Sequence, residues 1–185
     1  MKVDKKSERA RILEARNALS PGKRAELNES LCRYLNDFLD VVNVLQIGAF
    51  LPIGSEPDLS HVLKRWLSAD SARQVFLPVT EGKTMRFAFW DPSLPLRTGK
   101  FGVKEPTTEI FSDPTLLLVP CVGLDLEGYR LGYGGGYYDR YLSDVAVRPL
   151  TAGICFFEFC RLNFETDPFD AKLDSVISDQ GILDF

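Results

Sequence analysis

The sequence predicts a single α/β domain over residues 1–185, with a mostly parallel sheet held between helices in a three-layer α/β/α sandwich. Three observations carry that expectation. Segments with apolar residues at helical spacing alternate with short apolar or β-branched runs, the order that builds parallel sheets. Two of these runs, 41–51 and 116–119, have no helical period, so both belong in a buried sheet centre. A chain of 185 residues is also one domain long and large enough to bury most of the surface it exposes when unfolded.

Taken in order, residues 5–19 read as a basic amphipathic helix with Ile12, Leu13 and Leu19 on one side. Ser20-Pro21 supplies an N-cap followed by proline at the first helical position. It opens a second helix to about Asp40, with Leu27, Leu31, Tyr34, Leu35 and Phe38 at helical spacing. After the run at 41–51 comes a helix capped by Asp58 and carrying Val62, Leu63, Trp66 and Leu67. Short strands at 74–78 and 85–90 flank the turn signal Glu81-Gly82. Residues 91–113, rich in Pro, Gly and Thr, are expected to be loop. The strand at 116–119 ends at Pro120, and a polar turn at 125–128 leads to a glycine run and a short helix at about 136–142. Late strands fall at 150–156 and 175–178. Sheets of this kind bind ligands beyond the carboxyl ends of their strands. The loops after Leu51-Pro52 and Pro120-Cys121 are therefore where a site is expected.

Composition narrows function by exclusion. With 45% hydrophobic and 26% charged residues and a net charge of −4, the chain has no overall attraction for nucleic acid or anionic lipid. A polyanionic small molecule would need a local basic site. No segment approaches a membrane span and the N-terminus has no apolar signal core, so the cytoplasm is the expected location. Cys32, Cys121, Cys155 and Cys160 form no C-x-x-C pair, which points to reduced thiols rather than a disulfide or zinc framework. His61, the only histidine, has no partner motif and reads as structural. A monomer is expected because no apolar helix stripe is left unassigned.

The most informative segment is RLGYGGGYYD, 130–139. Glycines at 132, 134, 135 and 136 admit positive φ and let backbone amides approach a ligand that a Cβ would hold off. Set before a helix, those amides make an anion site, and Arg130 can fork onto phosphate oxygens. The run fits neither G-x-G-x-x-G nor the P-loop, because Tyr137 occupies the last glycine position and no lysine follows. Glycines alone are equally consistent with a flexible turn. The neighbouring Arg130, Tyr137, Tyr138 and Asp139 favour a phosphate and magnesium site.

With its flanks, LLVPCVGLDLEGYRLGYGGGYYDRYL resembles the signature of the 5-formyltetrahydrofolate cyclo-ligase family. Further pieces follow in that family's order: Lys5 and Arg9, RNALS at 16–20, FLPIGSEPDL at 50–59, LPV at 77–79, FGVKEP at 101–106, and the D-x-x-x-D element at Asp170 and Asp174. The resemblance implies a fold like that of the sugar-phosphate isomerases and CoA transferases. It implies closure of 5-formyltetrahydrofolate to 5,10-methenyltetrahydrofolate with Mg²⁺ and ATP, through an N5-iminium phosphate. Position by position it implies that Lys5, Arg9, Arg130, Leu131, Gly132, Tyr133, Gly134, Gly135, Gly136, Tyr137 and Tyr138 bind ATP. Arg130, Tyr137 and Tyr138 would also act in catalysis, and Asp139 and Asp174 would hold magnesium. Leu51 and Glu56 would contact the folate, with Met85, Phe101 and Trp90 around its pterin. Lys5 and Arg9 stand i and i+4 on one helix, so they face the same way whatever the family. A carboxylate at Glu56 suits the paired donors of a pterin.

The chain departs from the family pattern at Phe169, where many members carry His, at Ser178-Asp179, where Thr-Glu is usual, and at Gly135, where some carry Lys. Two rivals keep the architecture. One is a sugar-phosphate isomerase, which needs a carboxylate or lysine base and no metal at Asp139; the other is a binding protein that has lost turnover.

Overall fold

A computed structural model describes residues 3–185 and shows a large, mainly parallel sheet flanked by helices. Helix α1 spans Lys5–Ala18 and α2 spans Pro21–Val41. Strand β1 is Gln46–Gly48, α3 is Ser60–Ser68, β2 is Gln74–Glu81 and β3 is Thr84–Phe89. Three short strands follow: β4 at Leu96–Thr98, β5 at Lys104–Pro106 and β6 at Phe111–Ser112. Next come β7 at Leu116–Pro120, and β8 and β9 at Gly123–Leu124 and Arg130–Leu131. Helix α4 is Tyr137–Asp144, and β10, β11 and β12 are Leu150–Ile154, Ser175–Ser178 and Gly181–Asp184.

The sheet order is β12-β11-β10-β7-β1-β2-β3-β6. From β11 to β2 every pairing is parallel, and the outer strands β12, β3 and β6 pair antiparallel. Leu116 to Val119 are all fully buried, so consecutive side chains, which point to opposite faces, are both covered. Helix α4 packs on β3, where Tyr141 meets Phe87 edge to face at 5.0 Å, while α2 packs on β11 and α3 on β2. Gly48 sits where a Cβ would stand 2.4 Å from Leu117 Cδ2, so any larger residue there would force Leu117 to shift at the sheet centre. No described helix is long and apolar enough to cross a membrane.

The chain runs outward from β1 to β2 and β3, then returns to β7 on the other side of β1. That reversal opens a crevice between the carboxyl ends of β1 and β7. The two loops singled out from the sequence, after Leu51-Pro52 and Pro120-Cys121, leave the sheet there.

Several element boundaries differ from the expectation. Residues 41–51 are not one strand. Helix α2 runs through Val41, which is 84% exposed, and only Gln46–Gly48 pairs in the sheet. The β-branched residues at 41 and 42 are helix terminus, where tertiary packing outweighs propensity. Asp58 does not cap α3, which begins one residue beyond Leu59; its Oδ1 accepts from the Ser60 amide while its backbone is held by Asn28. The segment 91–113 contains β4, β5 and β6, too short for a periodic signal. Strand β12 and the β8–β9 hairpin also lack one. Ser20 caps α2 as expected, accepting from the Lys23 amide with Pro21 in the first turn. All four cysteines are free thiols and His61 is exposed on α3.

Candidate active site

A cavity of ≈ 670 Å³ occupies the crevice. Its walls come from α1, the loop after β1, the β2–β3 pair, the turn near Phe101, the glycine run and the loop at 167–170. Of the residues implicated from the sequence, Lys5, Arg9, Leu51, Glu56, Met85, Phe101, Arg130, Gly132–Gly136, Tyr137, Tyr138 and Asp139 all line it.

Helix α1 contributes the basic wall. Asp4 caps it by accepting from the Ser7 amide, which fixes the first turn from which Lys5 projects. Lys5 pairs with Asp167 at 2.8 Å and with Asp170. Arg9, one turn on, donates to the Gly132 carbonyl, and its guanidinium lies about 3.6 Å from where a Cβ on Gly134 would stand. The i, i+4 reading of Lys5 and Arg9 therefore holds.

The glycine run links β9 to α4. Gly134 and Gly136 have φ of +91° and +65°, conformations that side chains rarely adopt. Gly136 occupies the N-cap position of α4 without a side-chain cap, leaving the first amides of the helix to other partners. Arg130 is buried; it donates to Asp139 Oδ1 at 2.7 Å and to the Ala171 carbonyl at 3.3 Å, and its guanidinium lies over the Tyr138 ring. Leu131 is fully buried, so its side chain belongs to the core and only its backbone belongs to the run.

The two tyrosines divide. The Tyr137 hydroxyl donates to the Gly82 carbonyl at 2.9 Å and accepts from Lys100 at 3.1 Å, clamping the β2–β3 turn onto the glycine run. The Tyr138 hydroxyl is buried with no partner among the described residues, and burial pushes its pKa well up. A buried orphan hydroxyl on a cavity wall is a group suited to a ligand partner.

Glu56 is buried and its Oε2 accepts from the Ile53 amide at 2.8 Å. Burial raises its pKa, opposed by hydrogen bonds from Ile53 and Tyr133 and by the charge of Arg16. Met85, Leu51 and Phe50 make the surrounding wall apolar. Phe101 adds a half-open edge. It is 68% exposed, adopts φ +59°, and meets Tyr137 edge to face at 6.5 Å. Trp90 is buried in the core and does not line the cavity.

Asp174 is the one metal-site expectation that the structure turns away. Its Oδ2 is taken by the amide and hydroxyl of Thr151, its Oδ1 pairs with Arg148 at 3.6 Å, and it does not line the cavity. The acid of the D-x-x-x-D element that does face the cavity is Asp170, beside Asp167. Strand β11 begins at Ser175, so Asp174 is committed to the β10–β11 junction while Asp170 is still in the preceding loop. Spacing alone could not separate the two. No cluster of three or more His, Cys, Asp or Glu side chains able to hold a metal by itself occurs among the described residues. Asp139 Oδ2 and Asp170 Oδ1 have no protein partner among them, which leaves one free oxygen on each carboxylate.

Sequence reasoning missed the support that Arg16 and Ser55 give to residues lining this cavity. Arg16 is 2% exposed and reaches Ser55, Cys121 and Tyr133. A basic residue on the buried side of a basic helix was the only available signal.

Known proteins match this chain along nearly its whole length. The model of the 5-formyltetrahydrofolate cyclo-ligase family matches residues 1–179. A 5-formyltetrahydrofolate cyclo-ligase of Mycoplasma pneumoniae is 30% identical over 179 residues, 96% of this chain and 100% of that protein. The Escherichia coli K12 protein of the same name is 27% identical over 141 residues, 72% of this chain and 76% of its own. The NMR structure of Aquifex aeolicus 5,10-methenyltetrahydrofolate synthetase superposes with a TM-score of 0.83 at 28% identity, covering 97% of this chain and 92% of that one. A 5,10-methenyltetrahydrofolate synthetase from Mycoplasma pneumoniae gives 0.77 at 26% identity, covering 96% and 99%. On this evidence the chain belongs to the 5-formyltetrahydrofolate cyclo-ligase family of enzymes.

Proposed function

We propose that the enzyme closes 5-formyltetrahydrofolate to 5,10-methenyltetrahydrofolate, consuming ATP with Mg²⁺ and releasing ADP and phosphate. The relatives' names support the folate substrate. One observation supports the rest: a single cavity joins an apolar, acid-bearing wall to a wall of glycine amides, Lys5, Arg9 and Arg130.

The formyl oxygen of the folate attacks the γ-phosphorus of ATP, and the bond to ADP breaks. The product is an N5-iminium phosphate, in which a poor leaving group has become a good one. The N10 lone pair then adds to the formyl carbon, the carbon–oxygen bond breaks as phosphate departs, and the N10 proton passes to phosphate or water. Both steps need positioning and charge stabilisation more than acid–base chemistry.

Each residue has a part in that scheme. The amides of Gly132–Gly136 and the cations Lys5 and Arg9 hold the triphosphate. Arg130, fixed on Asp139 in a buried setting, stabilises charge on the transferred phosphoryl group. Glu56 accepts from the pterin's paired donors, with Leu51 and Met85 packing on the ring. The orphan Tyr138 hydroxyl donates to the reacting oxygens. Tyr137 walls the site with its ring, since its hydroxyl is engaged by Gly82. Magnesium, when bound, supplies charge neutralisation on the phosphates. Asp139 and Asp170 would hold it through their free oxygens, because this hard cation takes one or two carboxylates and completes its shell with phosphate and water.

The test is direct. Purified protein is mixed with 5-formyltetrahydrofolate, MgCl₂ and ATP, and the near-UV absorbance of the methenyl product is followed together with ADP release. Product and ADP in equal amounts are expected. Tight folate binding with neither product nor ADP would overturn the reading and leave a binding protein.

A further inference from the structure

Arg16 is among the most buried charged residues of the molecule, yet its hydrogen bonds go to neutral groups. Its Nε donates to Ser55 Oγ at 2.9 Å, Nη1 to the Cys121 carbonyl at 3.4 Å, and Nη2 to the Tyr133 hydroxyl. Burying a guanidinium on neutral acceptors is costly and suggests a purpose beyond the fold.

The nearest use for that charge is Glu56. The Tyr133 hydroxyl has one proton to give. Because its oxygen accepts from Arg16, that proton is left for the neighbouring Glu56 carboxylate, whose charged form Tyr133 favours. Linked donors of this kind polarise and strengthen one another. The other Glu56 anchor is the Ile53 amide, and Ser55, adjacent in the chain, is itself held by Arg16. Arg16 thus fixes both the loop that carries Glu56 and the donor that orients it. Tyr133 stands in the middle of the glycine run, where its sequence position suggests a triphosphate contact. The residue is 41% exposed, but its hydroxyl is turned onto the buried Arg16 guanidinium.

We infer that Arg16 and Tyr133 are positioning residues for the folate: Arg16 ties the Tyr133 hydroxyl to the Ser55–Glu56 loop, fixing the orientation in which the Glu56 carboxylate meets the pterin. This rests on the folate role proposed above for Glu56. The ionisable groups coupled to Glu56 are Arg16 from α1, Tyr133 from the glycine run, Tyr138 from α4 and Cys121 from the loop after β7. Of these, Arg16 and Tyr133 favour its charged form.

The experiment uses Tyr133→Phe, which keeps the ring, with Arg16→Lys as a second variant and Glu56→Gln as reference. Tyr133→Phe is expected to raise the folate KM about tenfold, the loss typical of a hydrogen bond to a charged group, while leaving the ATP KM and Tm unchanged. The pH below which folate binding weakens should move upward, because a donor that stabilises the carboxylate has been removed. Arg16→Lys, which loses the forked geometry, should show the same folate defect if it folds. In a Glu56→Gln background, Tyr133→Phe should add little. A rise in ATP KM with folate KM untouched, or full additivity with Glu56→Gln, would overturn the inference. If the wild-type enzyme binds folate without turnover, the ring-closure reading alone fails, and the same comparisons are made on folate Kd. Absence of folate binding by the wild type would overturn both.

Discussion

The two walls of the cavity are built in opposite ways. On the phosphate wall, Lys5 pairs with Asp167 and Asp170 and Arg9 leans on the Gly132 carbonyl, beside glycines that are open to solvent. On the folate wall, Glu56, Ser55 and Arg16 are each less than a tenth exposed; Arg16 bonds to both Ser55 and Tyr133, and Glu56 is anchored on the Ile53 amide. Ion pairs that reach solvent are easily exchanged, whereas hydrogen bonds that satisfy a buried charge are costly to break. The contrast teaches that the phosphate wall can trade its internal partners for ligand oxygens, while the folate wall is set before the ligand arrives. Arg130 and Asp139 meet at a third junction in the same cavity, buried and partly buried.

The largest expected effect falls on that junction. Asp139→Ala should abolish Mg²⁺-dependent turnover and leave folate affinity near wild type, as read by absorbance assay and fluorescence titration. An equal loss of folate binding would show that the residue only supports the fold of the run. The next effect separates two acids that the sequence treats alike. Asp170→Ala should raise the Mg²⁺ concentration needed for half-maximal rate by about tenfold, the scale of one lost charged ligand contact. Asp174→Asn should leave that requirement unchanged and lower Tm, since its carboxylate is bound to Thr151. The reverse outcome would restore Asp174 as the metal ligand.

Glu56→Gln should weaken folate binding about tenfold with ATP affinity unchanged. The substitution also has a stability signature. Burial raises the Glu56 pKa above its ordinary value, so the folded protein binds this proton more tightly than the unfolded chain does. The stability Glu56 contributes is therefore present at low pH and lost as pH rises through its folded pKa. Glu56→Gln should raise Tm at neutral pH, and the gain should fade as pH falls toward the ordinary carboxylate range. A gain that is instead larger in acid would contradict the assignment. The smallest effect tests backbone shape: Gly134→Ala, at φ +91°, should cost about 1–2 kcal/mol of local strain. It should appear as a raised KM for ATP, with folate KM unaffected.

The architecture was legible because apolar periodicity encodes it. Ile12, Leu31, Leu35, Leu63 and the run at 116–119 are buried as their spacing implies. Boundaries were less so. Val41 reads as strand by side chain, yet closes a helix, because the Phe38 carbonyl accepts from the Val42 amide and continues the helical ladder. The short strands β4, β5 and β6 carry too few residues for any period to show.

At the site, the sequence by itself determined the phosphate wall. Glycines, a forked cation and an i, i+4 basic pair are local patterns, and local geometry suffices to read them. It also determined the family, since the long ordered motif at 117–142 leaves little freedom. Only the tertiary structure decided which aspartate faces the cavity, that the Tyr137 hydroxyl is engaged elsewhere, and that Arg16 serves Glu56 through Tyr133. Those facts depend on contacts between residues such as Arg16 and Tyr133, 117 positions apart. Such pairings are fixed by how helices seat on the sheet, and no local spacing encodes them.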